Sequence, residues 1–185
     1  MKMTATEKLF VNRGGHAARV ARRAAKLLEH CPVRPGQRYL EVGCGIGAAA
    51  RRIAETADLD VTAIDVDPDQ IRAAERGPAL PNLRFLTMDA TTLQFPNAQF
   101  DVVATSKTMH HVPDRQGAFR EMIRVLREGG YFIFTDFALP SWFPGPPSLS
   151  ERGLHLLASQ ANLAHIYRSR SWATVDLIWR KGLGT

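Results

Sequence analysis

Apolar and polar positions change period several times along the chain. In "HAARVARRAAKLLEH" (residues 16–30), Ala17, Val20, Ala21, Ala24, Leu27 and Leu28 recur at helical spacing. Arg19, Arg22, Arg23 and Lys26 follow the same spacing on another face. The pattern predicts an amphipathic helix whose basic stripe is a solvated face, ended by "CPVRPG". From Arg38 onward, strand and helix patterns alternate. "RYLEVG", "LDVTAID", "LRFLTMD", "FDVVATS" and "YFIFTDF" read as strands, with "IGAAARRIAETA", "DPDQIRAAERG" and "DRQGAFREMIRVLREGG" as helices between them. Asp67 suits a helix N-cap, Pro68 the first helical position, and Gln70 stands at capping-box spacing. Gly129 and Gly130 are expected to stop the helix that begins near Asp114.

Continuous apolar strands alternating with helices predict an α/β, doubly wound, mostly parallel sheet with helices on both faces. "ALPSWFPGPPSLSERG" carries four prolines between Pro140 and Pro147 and reads as a loop leading to a helix near Ser150–Leu163. The last two β-like runs, "AHIYRSRS" and "TVDLIWRK", are separated by a link too short for a crossover, so a C-terminal antiparallel hairpin is expected. The expected division is an extra, basic N-terminal helical segment over 1–36, a candidate lid, and a main domain over 37–185.

A chain of 185 residues supports one substantial core. No apolar run is long enough for a membrane span, and "MKMTATEKLF" has no apolar h-region, so a cytoplasmic protein is expected. Cys31 and Cys44 are too few and unsuitably spaced for a zinc knuckle or a disulfide framework, and no metal site is expected. The net charge of +6 is uneven, because residues 1–38 hold nine Lys and Arg against Glu7 and Glu29. That asymmetry admits nucleic acid or an anionic membrane as a contact for residues 1–38, though neither is the favoured partner.

The chemistry begins at "YLEVGCGIGAAARRIAE", where a strand runs into Gly43, Gly45 and Gly47. Missing Cβ atoms allow a sharp turn and close approach of a ligand to backbone amides. Asp65 ends the second strand, where a carboxylate can accept from ribose hydroxyls. A nucleotide-dependent oxidoreductase fits that much. Three features tilt away from it. Glu41, two residues before Gly43, would oppose a pyrophosphate but suits a ligand bearing an ammonium or sulfonium. Asp89 follows the third strand, where it can accept from an adenine amine. The terminal hairpin is unusual in dinucleotide folds.

Together, "EVGCGIG", "VTAIDVDPDQI", "MDATTLQFPNAQFDVVATSKTMHHV" and "VLREGGYFIFTDF" resemble the class I, seven-stranded, Rossmann-like S-adenosylmethionine-dependent methyltransferases, over roughly Arg38 to Lys181. The resemblance implies S-adenosylmethionine as cofactor, S-adenosylhomocysteine as product, and in-line methyl transfer to a small-molecule acceptor. Glu41 would orient the methionine end, and Gly43, Cys44, Gly45 and Gly47 would line the cofactor. Asp65 would hold the ribose, Val66 would pack near the adenine, and Asp89 and Ala90 would meet the adenine edge. Thr105 and Ser106 would sit near the methyl group.

His110 and His111 follow the fourth strand and are the candidate catalytic bases, with Lys107 and Asp136 as secondary candidates. Phe10, Arg13, Trp142 and Phe143 are candidate lid or substrate residues. "ATSKTMHHV" lacks a cysteine and an Asn/Asp-Pro-Pro-Tyr motif, which disfavours methylation of DNA bases. Alternatives at this stage are an RNA methyltransferase using the basic helix, a nucleotide-dependent oxidoreductase and a non-catalytic cofactor-binding module.

Overall fold

The computed structural model describes residues 14–137 and 151–183. Seven strands form one sheet in the order β3-β2-β1-β4-β5-β7-β6. They are β1 (Arg38–Val42), β2 (Asp60–Asp65), β3 (Leu83–Thr87), β4 (Phe100–Ser106), β5 (Leu126–Phe137), β6 (Leu163–Arg170) and β7 (Thr174–Lys181). β1 to β5 pair in parallel, while β7 runs antiparallel to both β5 and β6, as the short link between the last two runs requires.

In the central strands successive residues alternate between two buried layers, which is why those strands read as nearly unbroken apolar runs. Of the edge strands, β3 is half-exposed and β6 largely exposed. Leu40, Val103, Phe132 and Phe134 face α4 (Arg115–Val125) and α5 (Glu151–Gln160). Tyr39, Val102, Ala104, Tyr131 and Ile133 face the other side, with α1 (Gly14–Leu28), α2 (Ala48–Thr56) and α3 (Pro68–Glu75). Phe132 stacks on Trp179 at 5.7 Å between ring centroids, tying the hairpin into the core. Among the described residues, no helix is long and apolar enough to cross a membrane.

Three local expectations are corrected. The helix from Arg115 ends at Val125, four residues before Gly129, and Leu126 already pairs with Phe100. The Lys181 ammonium donates to the carbonyls of Ile123 (2.8 Å) and Leu126 (2.7 Å), so the hairpin satisfies this helix end. Gly129, at φ +70°, instead shapes an irregular start to β5. At α3, Asp67 caps as expected, accepting from the Asp69 amide at 3.0 Å. Gln70 closes no capping box, since neither of its amide atoms has a hydrogen-bond partner. Finally, the basic stripe is not one solvated face. Arg23 turns inward and grips Asp176 of β7 through Nε (2.8 Å) and Nη2 (2.5 Å).

Candidate active site

The sheet order reverses between β1 and β4, and a ligand is expected beyond the carboxyl ends of strands at such a switch point. A cavity of about 920 Å³ opens there, near the top of the range of about 300–1,000 Å³ for small-molecule sites. It is bordered by the ends of β1, β2, β4 and β5 and covered on one side by His16, Ala17, Arg19, Val20 and Arg23 of α1.

The floor is the loop after β1. Gly43, Gly45 and Gly47 all adopt left-handed φ angles, of +77°, +54° and +74°. They serve different needs. A Cβ on Gly43 would meet the Thr108 side chain at 2.2 Å, and one on Gly47 would meet the Phe85 ring at 2.5 Å. At Gly45 a Cβ would meet nothing within 4 Å. Gly43 and Gly45 line the cavity, whereas Gly47 supports the loop from below against Phe85 and Ala74. Asp65 fastens this loop, its two carboxylate oxygens accepting from the amides of Gly45 (2.8 Å) and Asp67 (2.9 Å).

Glu41 lies at the end of β1, buried among the loop and the first turn of α2. Its carboxyl accepts from the Ala50 amide, standing in for the side-chain cap that Gly47 cannot supply. The other oxygen, Oε2, is buried without a hydrogen-bond partner among the described residues. Burial pushes this acid up to about 8, and nearby Asp65 adds to the rise. Burial likewise raises the Cys44 thiol well above its ordinary value, which disfavours the nucleophilic thiolate. Asp89 is exposed at the rim and held below the usual carboxylate range by hydrogen bonds from the Thr91 amide and hydroxyl.

Past β4 the chain makes a left-handed step at Lys107, φ +52°, whose amide donates to Thr135 O at 2.7 Å. Thr108 then donates to the carbonyls of Gly43 (3.2 Å) and Ser106 (3.1 Å), joining this turn to the glycine loop. His110 follows in a short 3-10 turn (Met109–His111). The His110 Nδ1 lies 2.7 Å from Asp136 Oδ1, and its amide donates to Asp136 Oδ2 at 3.1 Å. His111 packs against the His110 ring at 3.9 Å between centroids.

The cavity therefore gathers Glu41, Gly43, Cys44, Gly45, Asp65, Val66, Asp89, Ala90, Ser106, His110 and His111. Thr105 does not line it. Its hydroxyl is buried, with no hydrogen-bond partner, one residue deeper in β4. Phe10, Arg13, Trp142 and Phe143 lie outside the described residues. Sequence reasoning missed Thr108 as the tie to Gly43, and His16 and Arg23 as cavity walls. Only the basic stripe hinted at the last.

A mostly parallel sheet ending in an antiparallel pair, with a glycine loop and strand-end acids at its switch point, defines a Rossmann-like methyltransferase architecture. Comparison with known proteins agrees. The family model described as "Methyltransferase domain" matches residues 40–134. The chain is 38% identical over 122 residues to 27-O-demethylrifamycin SV methyltransferase of Amycolatopsis mediterranei, covering 64% of this chain and 44% of that protein. It is 35% identical over 131 residues to a fatty-acid O-methyltransferase of Mycolicibacterium smegmatis, covering 68% and 47%. The chain thus spans less than half the length of either relative. Among solved structures, an S-adenosylmethionine-dependent methyltransferase from Aquifex aeolicus shares the fold with a TM-score of 0.77 at 18% identity, covering 96% of this chain and 98% of that one. The chain belongs to the methyltransferase domain family, the class I S-adenosylmethionine-dependent methyltransferases, and S-adenosylmethionine is the cofactor of that class.

Proposed function

We propose that the cavity holds S-adenosylmethionine across the glycine loop and that the domain transfers its methyl group to a small-molecule acceptor. The observation that carries this reading is Glu41 Oε2, a buried carboxyl oxygen at the cavity floor with no hydrogen-bond partner among the described residues. Such an atom is costly until a donor or a cation meets it. The ammonium of a methionine moiety has that character and favours the ionised carboxyl, whereas a pyrophosphate would be repelled by Asp65 and Asp89. This supports a sulfonium cofactor over a dinucleotide.

Bound in the cavity, S-adenosylmethionine supplies a methyl group activated on a sulfonium. The chain's residues then bind, orient and manage protons. Glu41 meets the methionine end, and Gly43, Cys44 and Gly45 border the cofactor. Asp65 receives ribose hydroxyls on the lone pairs its loop amides leave over. Val66, Asp89 and Ala90 border the adenine, and Ser106 borders the side toward the acceptor. His110 takes the acceptor's proton at Nε2, because Asp136 holds Nδ1–H and so fixes the neutral tautomer. His111 packs on that ring and limits its motion. In-line displacement needs reactants held at close range, and the enclosing walls supply that.

Residues 1–36 serve as the lid and 37–185 as the catalytic domain. The wall that α1 builds and the Arg23–Asp176 clamp support this division. With Arg23 engaged in the fold, the basic stripe favours RNA less than a small acceptor. To test this, methyl-labelled S-adenosylmethionine is incubated with the protein and either an organic-soluble metabolite fraction or total RNA. Label in organic-soluble small molecules is expected. Label in RNA alone would overturn the reading.

A further inference from the structure

We infer that the acceptor carries an anionic group, a carboxylate or a phosphate, that is held by Lys107 and Arg19 at the α1 side of the cavity. This inference rests on the methyltransferase reading above and specifies its substrate. The cavity is electrically divided. Glu41, Asp65 and Asp67 gather at the glycine loop, Asp89 and Asp114 line the cavity elsewhere, and Arg19, Arg23 and Lys107 gather at the α1 side. A cationic cofactor suits the glycine-loop side and is repelled by the α1 side, so the α1 side is left to the acceptor.

Among the described residues, Lys107 and Arg19 are not neutralised from within. Arg23 is the exception, bound by Asp176. The two carboxylates whose charge reaches Lys107, those of Asp136 and Asp176, are already engaged. Asp136 takes the His110 ring, the His110 amide and the Phe137 amide at 2.8 Å. Asp176 takes Arg23 and, at 2.8 Å, the Thr135 hydroxyl. Lys107 is half-buried, and its ammonium lies over the Phe137 ring, 5.5 Å from the centroid. Neither Lys107 nor Arg19 has an ion-pair partner among the described residues. The positive field is felt on both sides of the mouth. Burial with Arg23 and Arg19 lowers the Lys107 pKa, and burial with Lys107 and Arg19 lowers that of His16. A desolvated ammonium without a counter-ion is stabilised by an incoming anion. Around it, Ala17, Val20, Val112 and Phe137 give an apolar lining, so the anion belongs on an otherwise apolar molecule.

The test is isothermal titration of the S-adenosylhomocysteine-saturated protein with octanoate, octyl phosphate and octanamide, which differ in headgroup. At low salt, at least one anion is expected to bind about tenfold or more tighter than octanamide. The order of the two anions tells carboxylate from phosphate. The double variant R19Q/K107Q is expected to bring the preferred anion down to the level of the amide. An amide that binds as tightly as both anions, no binding of either anion, or a preference that survives in the double variant would overturn the inference. The same probes are titrated into the ligand-free protein. Failure of S-adenosylhomocysteine to bind then counts against the methyltransferase reading, while the anion preference is still read.

Discussion

The His110 ring and the Asp136 carboxylate meet at 2.7 Å, both buried at the edge of the cavity. Asp136 also accepts the His110 backbone amide, so one carboxylate fixes the ring and the turn that carries it. A histidine merely filling space would not need its ring nitrogen and its amide held by one group.

The base assignment predicts a separation of chemistry from cofactor binding. His110→Ala is expected to lower kcat by roughly 10²-fold or more, the usual contribution of a general base. Affinity for S-adenosylhomocysteine should change little. Asp136→Asn should lower kcat less and move the pH–rate profile, because the ring loses its fixed tautomer. Unchanged turnover in H110A with a working acceptor would remove His110 from the mechanism.

Glu41 gives a pH dependence with a definite sign. Folded, its carboxyl keeps the proton up to about pH 8, while the unfolded chain releases it near the ordinary value of about 4.3. Its contribution to stability is complete below the unfolded value and is lost as pH rises toward 8. The ligand-free protein should therefore lose melting temperature across that window, and Glu41→Gln should flatten the decline. S-adenosylmethionine should stabilise the wild type more at pH 8.5 than at pH 6, since its cation favours the ionised acid. Parallel curves for wild type and E41Q would contradict the placement of this charge.

The two cavity glycines separate steric from conformational need. Gly43→Ala adds a contact at 2.2 Å with Thr108 to an unfavourable φ, and should cost about 3 kcal/mol. Gly45→Ala meets open space and should cost about 1 kcal/mol. Denaturant melts of the two variants read the difference. Equal losses would mean that Thr108 does not press on Gly43.

Arg23 is expected to hold α1 across the cavity. Arg23→Ala leaves the buried Asp176 with only the Thr135 hydroxyl and should destabilise by about 2 kcal/mol. Hydrogen exchange in α1 should rise with it. Exchange confined to its wild-type rate would show that apolar packing of Leu27 and Leu28 alone fixes the helix.

How much of this was legible in the sequence follows from the range of each interaction. β1, β2, β4 and β5 could be read because strands buried on both faces are nearly unbroken apolar runs, while β3, half-exposed at the sheet edge, was read from its place in the strand–helix alternation. The strand-end acids and the glycine loop were legible because their spacing is local. The end of the helix at Val125 was not, because "REGG" imitates a helix stop. What decides the matter is Lys181, more than fifty residues away. The inward turn of Arg23 depends on Asp176, 153 residues on. Thr108 gave no sign of its role, since only the fold brings it onto Gly43. Thr105 and Gly47 were expected at the cofactor because the family resemblance implied it, yet strand alternation and the turn aim them elsewhere.

The central claim is that the glycine-loop cavity is an S-adenosylmethionine site built on Glu41 and Asp65. Isothermal titration with S-adenosylhomocysteine tests it most directly, run on the wild type, E41Q and Asp65→Ala, with NADH as a control. The expected result is one site in the wild type, about tenfold or more weaker in each variant, and no heat from NADH. No binding of S-adenosylhomocysteine by folded wild type, or equal affinity in all three proteins, would contradict the claim.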